Sequence, residues 1–174
     1  IRDRSRPGPG CRHHRLRARR RTARTAFRSL PIGVNEVLVV QVAATWFMVG
    51  LIWMVQIVHY PLFRAIPADS FETYEASHTS AIGRLLILPA GIEVVSAAAL
   101  VWYRPDEVPL WMVMLSGALL AAIWVVTALV QAPLHRRLLD GYDRTTVDRL
   151  VRTNWFRTGA WTLRGVVVAA MLLL

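Results

Sequence analysis

Lysine is absent from the 174 residues, and the only cysteine is Cys11. From residue 12 onward no thiol is available, which excludes disulfides, thiolate metal sites and cysteine nucleophiles there. A glycine-rich phosphate loop, a nucleophile-elbow serine and a His-Glu-x-x-His helix are also missing, so P-loop, α/β-hydrolase and zincin chemistry have no signature. Acids are scarce beside arginine, 11 Asp and Glu against 21 basic residues. The imbalance is local. Residues 1–33 hold eleven Arg and one acid, Asp3, a net of +10. Residues 34–174 hold ten Arg and ten acids, a net of zero.

Three readings compete for the tail "IRDRSRPGPGCRHHRLRARRRTARTAFRSLPIG". Arg clusters attract phosphates, which suits a nucleic-acid or acidic-lipid arm. Arg-rich, acid-poor segments also serve as organelle targeting peptides. The expectation adopted is a third: upstream sequence from a GC-rich genome, with Val34 as a GUG start, disordered in any case. The first apolar run is too long for a secretory signal and lacks a small-residue cleavage site.

What remains is apolar. The hydrophobic fraction is 55% and the mean hydropathy +0.38. Apolar runs of about 20 residues recur, the length a helix needs to cross a bilayer core. The expected fold is all-α, a four-helix transmembrane bundle with helices at about 34–60, 81–103, 110–131 and 155–174. A short amphipathic extension precedes the second helix and a helical connector from Thr145 precedes the fourth. Asn35 or a neighbour is expected to cap the first helix. "DSFE" (Asp69 to Glu72) has capping-box spacing for the second. Pro61 and Pro133 should end the first and third helices, and Pro89 should kink the second. Gly83, Gly91, Gly117 and Gly159 suggest close helix packing.

Connections 61–80 and 132–154 fall on one face with Arg64, Arg84, Arg136, Arg137, Arg144, Arg149, Arg152 and Arg157. The other face has only Arg104 once the tail is set aside. That bias puts the loaded face in the cytoplasm of a multi-pass protein, and both ends of residues 34–174 outside. "YPLFR" (Tyr60 to Arg64) and "APLHR" (Ala132 to Arg136) end the first and third helices in equivalent places, a weak internal echo.

Polar side chains inside a membrane are costly, so their positions carry information. Each helix has one stripe: Trp53, Gln56 and Tyr60 beside His59; Tyr74, His78, Glu93 and Ser96; Trp124, Thr127, Gln131 and His135; Asn154, Arg157, Trp161 and Arg164. Four stripes should face one another rather than lipid. Glu93 and Arg164 each lie roughly 16 Å into helices that run the same way, which predicts a buried ion pair. His59, His78 and His135 gather near one membrane surface and are candidate ligands for a metal ion or haem. Gln56, Tyr60, Gln131, Asn154 and Arg157 suit an anionic or carbonyl-bearing ligand.

The motifs "QIVHYPLF", "YEASHT", "LPAGIE", "QAPLHRRL" and "RLVRTNWFRTGAWTLR" together resemble those of a family of short, uncharacterised bacterial membrane proteins. The resemblance covers about residues 36–174. It implies a four-helix membrane bundle in the bacterial inner membrane and carries no activity. "TNWFRTGAWTLR" is also similar to the last helix of anthrone-oxygenase-like membrane proteins, over too short a span to transfer a reaction.

The leading expectation is a membrane protein whose polar pocket, on the cytoplasmic side, binds a small ligand or metal. As an oxidoreductase it would use a His as ligand or proton carrier, and Arg157 to hold substrate. The alternatives are a non-enzymatic scaffold or assembly factor, and a small transporter acting as a dimer. Expected partners are the lipid bilayer, a small anionic or quinone-like ligand and a second copy in a homo-oligomer; no nucleic acid is expected.

Overall fold

The computed structural model describes residues 34–174; the three readings of the Arg-rich tail concern residues outside that range. Among the described residues there are four long helical segments and no strand. Three of them, Glu36–Ala65, Phe71–Trp102 and Leu110–Leu138, are long and apolar enough to cross a membrane. The fourth, Arg144–Leu172, is 29 residues long and more polar. The first helix packs on the second and fourth, and the third packs on the second and fourth, so the four neighbour one another in cyclic order.

Proline does not end the first and third helices, contrary to expectation. The first runs as α-helix over Val34–Met54, π-helix over Val55–His59, α-helix over Tyr60–Leu62 and a 3-10 turn over Phe63–Ala65. The third does the same, with Leu110–Val126, a π segment Thr127–Gln131 and Ala132–Leu138. Proline lacks an N–H and its ring crowds the carbonyl four residues back. A π register relieves both problems by letting the preceding amide reach back five residues. Tyr60 N–H accordingly bonds Val55 O just before Pro61, and Ala132 N–H bonds Thr127 O just before Pro133. The echo between "YPLFR" and "APLHR" therefore extends to the backbone.

The second helix, Phe71–Trp102, continues through Pro89. Its N-cap is Ser70, with no side-chain cap bond. The expected Asp69–Glu72 capping box is not formed, because Asp69 instead accepts from the Ser70 hydroxyl at 3.1 Å. The expected cap of the first helix at Asn35 or a neighbour lies outside the described side chains. The helical connector and the fourth helix prove to be one element. It starts at Asp143, whose carboxylate accepts from Thr145 N–H at 3.1 Å and Thr146 N–H at 3.0 Å and also from the Thr146 hydroxyl. The Thr146 hydroxyl, with these amides, holds the Asp143 carboxyl below its usual value. Gly141, at φ 131°, makes the turn into this cap, a conformation side chains with a Cβ rarely adopt.

Apolar clusters close the two ends of the bundle. Phe63, Phe71, Leu138, Val147 and Leu150 pack at one end, and Leu38, Leu100, Met112, Val168 and Met171 at the other. The polar stripes lie between. Close packing of helices rests on a different glycine from those expected. A Cβ at Gly83, Gly91, Gly117 or Gly159 would meet nothing within 4 Å, whereas at Gly165 it would lie 3.1 Å from Val49 Cγ2 and 3.5 Å from the Trp46 ring. Gly165 thus sets how near the fourth helix comes to the first. Gly165→Leu should cost about 1–3 kcal/mol by overpacking, while Gly159→Ala, on an open surface, should leave the detergent unfolding midpoint unchanged or raised. Equal midpoints for Gly165→Leu and the wild type would remove the close crossing from the account.

Candidate functional site

A cavity of about 320 Å³ lies where the four polar stripes meet. One part of its wall is apolar, with Met48, Leu51, Ile52, Ile82, Leu86 and Trp161. The other part carries Tyr60, His78, Gln131, His135, Arg136 and Arg157. The two π segments help to place these groups. Each widens the helix by one residue just before the proline, and the first carries Gln56 and His59 while the third helix's carries Gln131.

Around the cavity the polar groups form connected sets. Tyr60 O–H bonds His135 Nε2 at 2.9 Å, and His135 Nδ1 bonds Glu75 Oε1 at 2.5 Å. Glu75 is fully buried, and its second oxygen has no hydrogen-bond partner. His59 Nε2 and His78 Nδ1 lie 2.8 Å apart. On the facing wall Arg157 donates to Asn154 Oδ1 at 2.9 Å, and Asn154 donates to Gln56 Oε1 at 2.9 Å. Gln56 in turn donates to the Val151 carbonyl at 3.2 Å. The Arg157 guanidinium also sits over the Trp161 ring, 5.3 Å from its centroid, a cation–π contact that orients it. Gln131 donates to Thr153 Oγ1 at 2.9 Å. Two buried atoms of the lining residues are left over, Gln131 Oε1 as an acceptor and Arg157 Nε as a donor.

Deeper in the bundle lies a second, drier cluster. Arg164 pairs with Glu93 through Nη1, and the same nitrogen donates to Thr45 Oγ1 at 2.7 Å. Arg164 Nε donates to the Ser116 carbonyl at 3.1 Å, and Trp161 Nε1 reaches Glu93 Oε1 at 3.4 Å. Nearby, Ser96 donates to Gln41 Oε1 at 2.8 Å, and Gln41 donates to Thr45 at 2.9 Å. Glu93 and Arg164 are both fully buried and are not part of the cavity wall.

The residues named from sequence thus divide. Tyr60, Gln131 and Arg157 line the cavity, as do His78 and His135. Gln56 and Asn154 stand behind the wall and hold Arg157 in position. The three histidines are neighbours, with ring centroids 4.4 Å apart for His59 and His78 and 5.6 Å for His78 and His135. Their arrangement is not a metal cage. A shared metal needs nitrogen lone pairs converging on one point. Here both nitrogens of His135 are engaged, by Tyr60 and Glu75, and His59 and His78 face each other. Among the described residues no group of three His, Cys, Asp or Glu side chains could hold a metal ion.

Sequence reasoning missed Glu75, Gln41 and Thr45, all fully buried. Gln41 and Thr45 carried a usable signal, two polar residues four apart within an apolar run. Glu75 had a weaker one, three residues before His78 in the amphipathic start of the second helix. No protein family, curated protein or solved structure matches the chain.

Proposed function

We propose that residues 34–174 cross a bacterial inner membrane four times and that the cavity binds a small amphipathic ligand, with a quinone-like or anionic polar group and an apolar body. The membrane reading is supported by an inverted distribution of polarity. Ile87, Leu88, Val95 and Leu129 are between 69% and 74% exposed, while Gln41, Glu93, Asn154 and Arg164 are fully buried. In water that arrangement is unfavourable; in lipid it is what the solvent demands. The fourth helix follows the same rule, since it buries Asn154, Arg157 and Arg164 and exposes Trp155, Phe156, Leu163 and Val166. Its low average hydropathy comes from these buried polar groups together with the exposed Arg144, Asp148, Arg149 and Arg152 of its first turns. The arginines at 64, 84, 136, 137, 144, 149 and 152 favour a cytoplasmic position for that end.

The ligand reading is carried by one observation. The cavity combines an apolar wall with the polar side chains of Tyr60, His78, Gln131, His135 and Arg157 on the facing side. Such a few convergent polar groups in an apolar hollow are how small-molecule sites fix orientation. Purified protein in lipid nanodiscs, titrated with a short-chain alkylbenzoquinone and separately with decanoate, should show a saturable rise in unfolding midpoint with at least one probe. Gln131→Leu should weaken that binding about tenfold, the loss of roughly one hydrogen bond. Absence of any saturable shift with either probe would refute ligand binding and leave the polar stripes as helix-packing groups of a scaffold.

A further inference from the structure

We propose that Tyr60, His135 and Glu75 form a proton relay that ionises a phenolic or enolic hydroxyl of the cavity's ligand, with Arg157 holding the resulting oxyanion. The proposal rests on the ligand-binding reading above and narrows it to weakly acidic hydroxyl compounds with an apolar body.

The geometry is that of a carboxylate, an imidazole and a phenol in series, at 2.5 Å and 2.9 Å, ending on the cavity wall. A carboxylate at Glu75 only accepts, so His135 Nδ1 carries the hydrogen and Nε2 is left to accept from Tyr60 O–H. A buried tyrosine needs only one hydrogen-bond partner, and a backbone carbonyl would serve. The partner here is a base, and the base is backed by a fully buried carboxylate whose other oxygen has no partner. A carboxylate so placed is costly to the fold, and its use is to stabilise an imidazolium.

The step moves protons only. The ligand's O–H bond breaks as its proton passes to the Tyr60 oxygen, while the Tyr60 proton passes to His135 Nε2. Imidazolium and carboxylate then face each other at His135 and Glu75, and the ligand is left as an enolate or phenolate. Arg157, beside the Tyr60 phenol and on the cavity wall, supplies the opposite charge. The other titratable groups facing the relay are His59 from the first helix, Tyr74 and His78 from the second and Arg136 from the third. Arg136 adds positive charge on the cavity side, and none of the four adds a second carboxylate.

A 2-alkyl-4-nitrophenol tests this directly, because its phenolate absorbs at longer wavelength than its phenol. Uptake is measured by equilibrium dialysis into nanodiscs, against empty nanodiscs, and ionisation by the spectrum of the bound probe. The wild type should take up the probe saturably and raise its ionisation constant at least about tenfold, the effect of one nearby opposite charge. His135→Gln, which keeps an acceptor for Tyr60 but removes the base, and Tyr60→Phe should retain uptake and keep only the part of that gain that the Arg157 charge supplies. Folding of each variant is read from its unfolding curve, and because Tyr60→Phe removes a single oxygen it decides the matter if His135→Gln does not fold. Uptake of neutral probe by the wild type, or full ionisation surviving in either folded variant, overturns the relay alone. No saturable uptake by the wild type overturns the ligand-binding reading with it.

Discussion

Glu93→Gln is expected to destabilise the folded protein by about 3–5 kcal/mol, the cost of leaving one member of a buried ion pair without its partner. Arg164 is held by four groups: the Glu93 carboxylate, Thr45 Oγ1, the Ser116 carbonyl and, indirectly, Trp161 through Glu93. Glutamine keeps the shape and one acceptor but removes the charge, so the guanidinium stays buried with hydrogen bonds and no counter-ion. Arg164→Met should cost as much, for the mirror-image reason. The double variant should cost less than the sum, because the second change removes the orphan created by the first. The measurement is unfolding in mixed detergent micelles, followed by circular dichroism. An unchanged midpoint for Glu93→Gln would mean that the pair contributes nothing to the fold.

Trp161→Ala should be similarly damaging, at about 3–5 kcal/mol for a buried tryptophan removed without collapse of the site. Trp161 is 2% exposed and the largest of the fully packed side chains. It joins the two polar clusters: its ring carries the Arg157 guanidinium and its Nε1 reaches Glu93. It also forms part of the cavity's apolar wall. Deleting it should therefore do two separable things, lower the unfolding midpoint and weaken quinone or decanoate binding. Trp161→Phe, which keeps most of the packing and a ring for Arg157, should recover much of both. If binding survives Trp161→Ala in folded protein, the ligand does not use that wall.

Much of the fold was legible because helices long and apolar enough to cross a membrane obey length and polarity rules that act locally. About 20 apolar residues must recur, charged residues must hide, and the turn must lie where apolarity stops. The second helix could be followed from the region of Asp69 to Tyr103, and the lateral pairing of Glu93 with Arg164 follows from counting residues along two parallel helices. Ends were harder. Pro61 and Pro133 carry a clear signal against helix, yet both helices continue, because a π segment rearranges the hydrogen bonds that proline would break. The five-residue segments "VQIVH" and "TALVQ" contain nothing that announces such a register. The helix ends beyond are well packed, with Phe63 and Leu138 fully buried.

The polar side chains in "QIVHYPLFRAI" illustrate the remaining division. Their presence in an apolar run marked them as inward-facing, and Gln56 and Tyr60 are indeed buried. Their partners were not legible. Tyr60 meets a histidine 75 positions away, Gln56 an asparagine 98 away, and Glu75, within the amphipathic start of the second helix, lies behind His135. Sequence alone determined which residues are too polar to face lipid, since that is a property of each side chain and its solvent. Only the tertiary structure decided how they divide into a deep ion pair, a packed Gln–Asn–Arg wall and a carboxylate–imidazole–phenol series, because a hydrogen bond depends on tenths of an ångström between helices that the chain order does not specify.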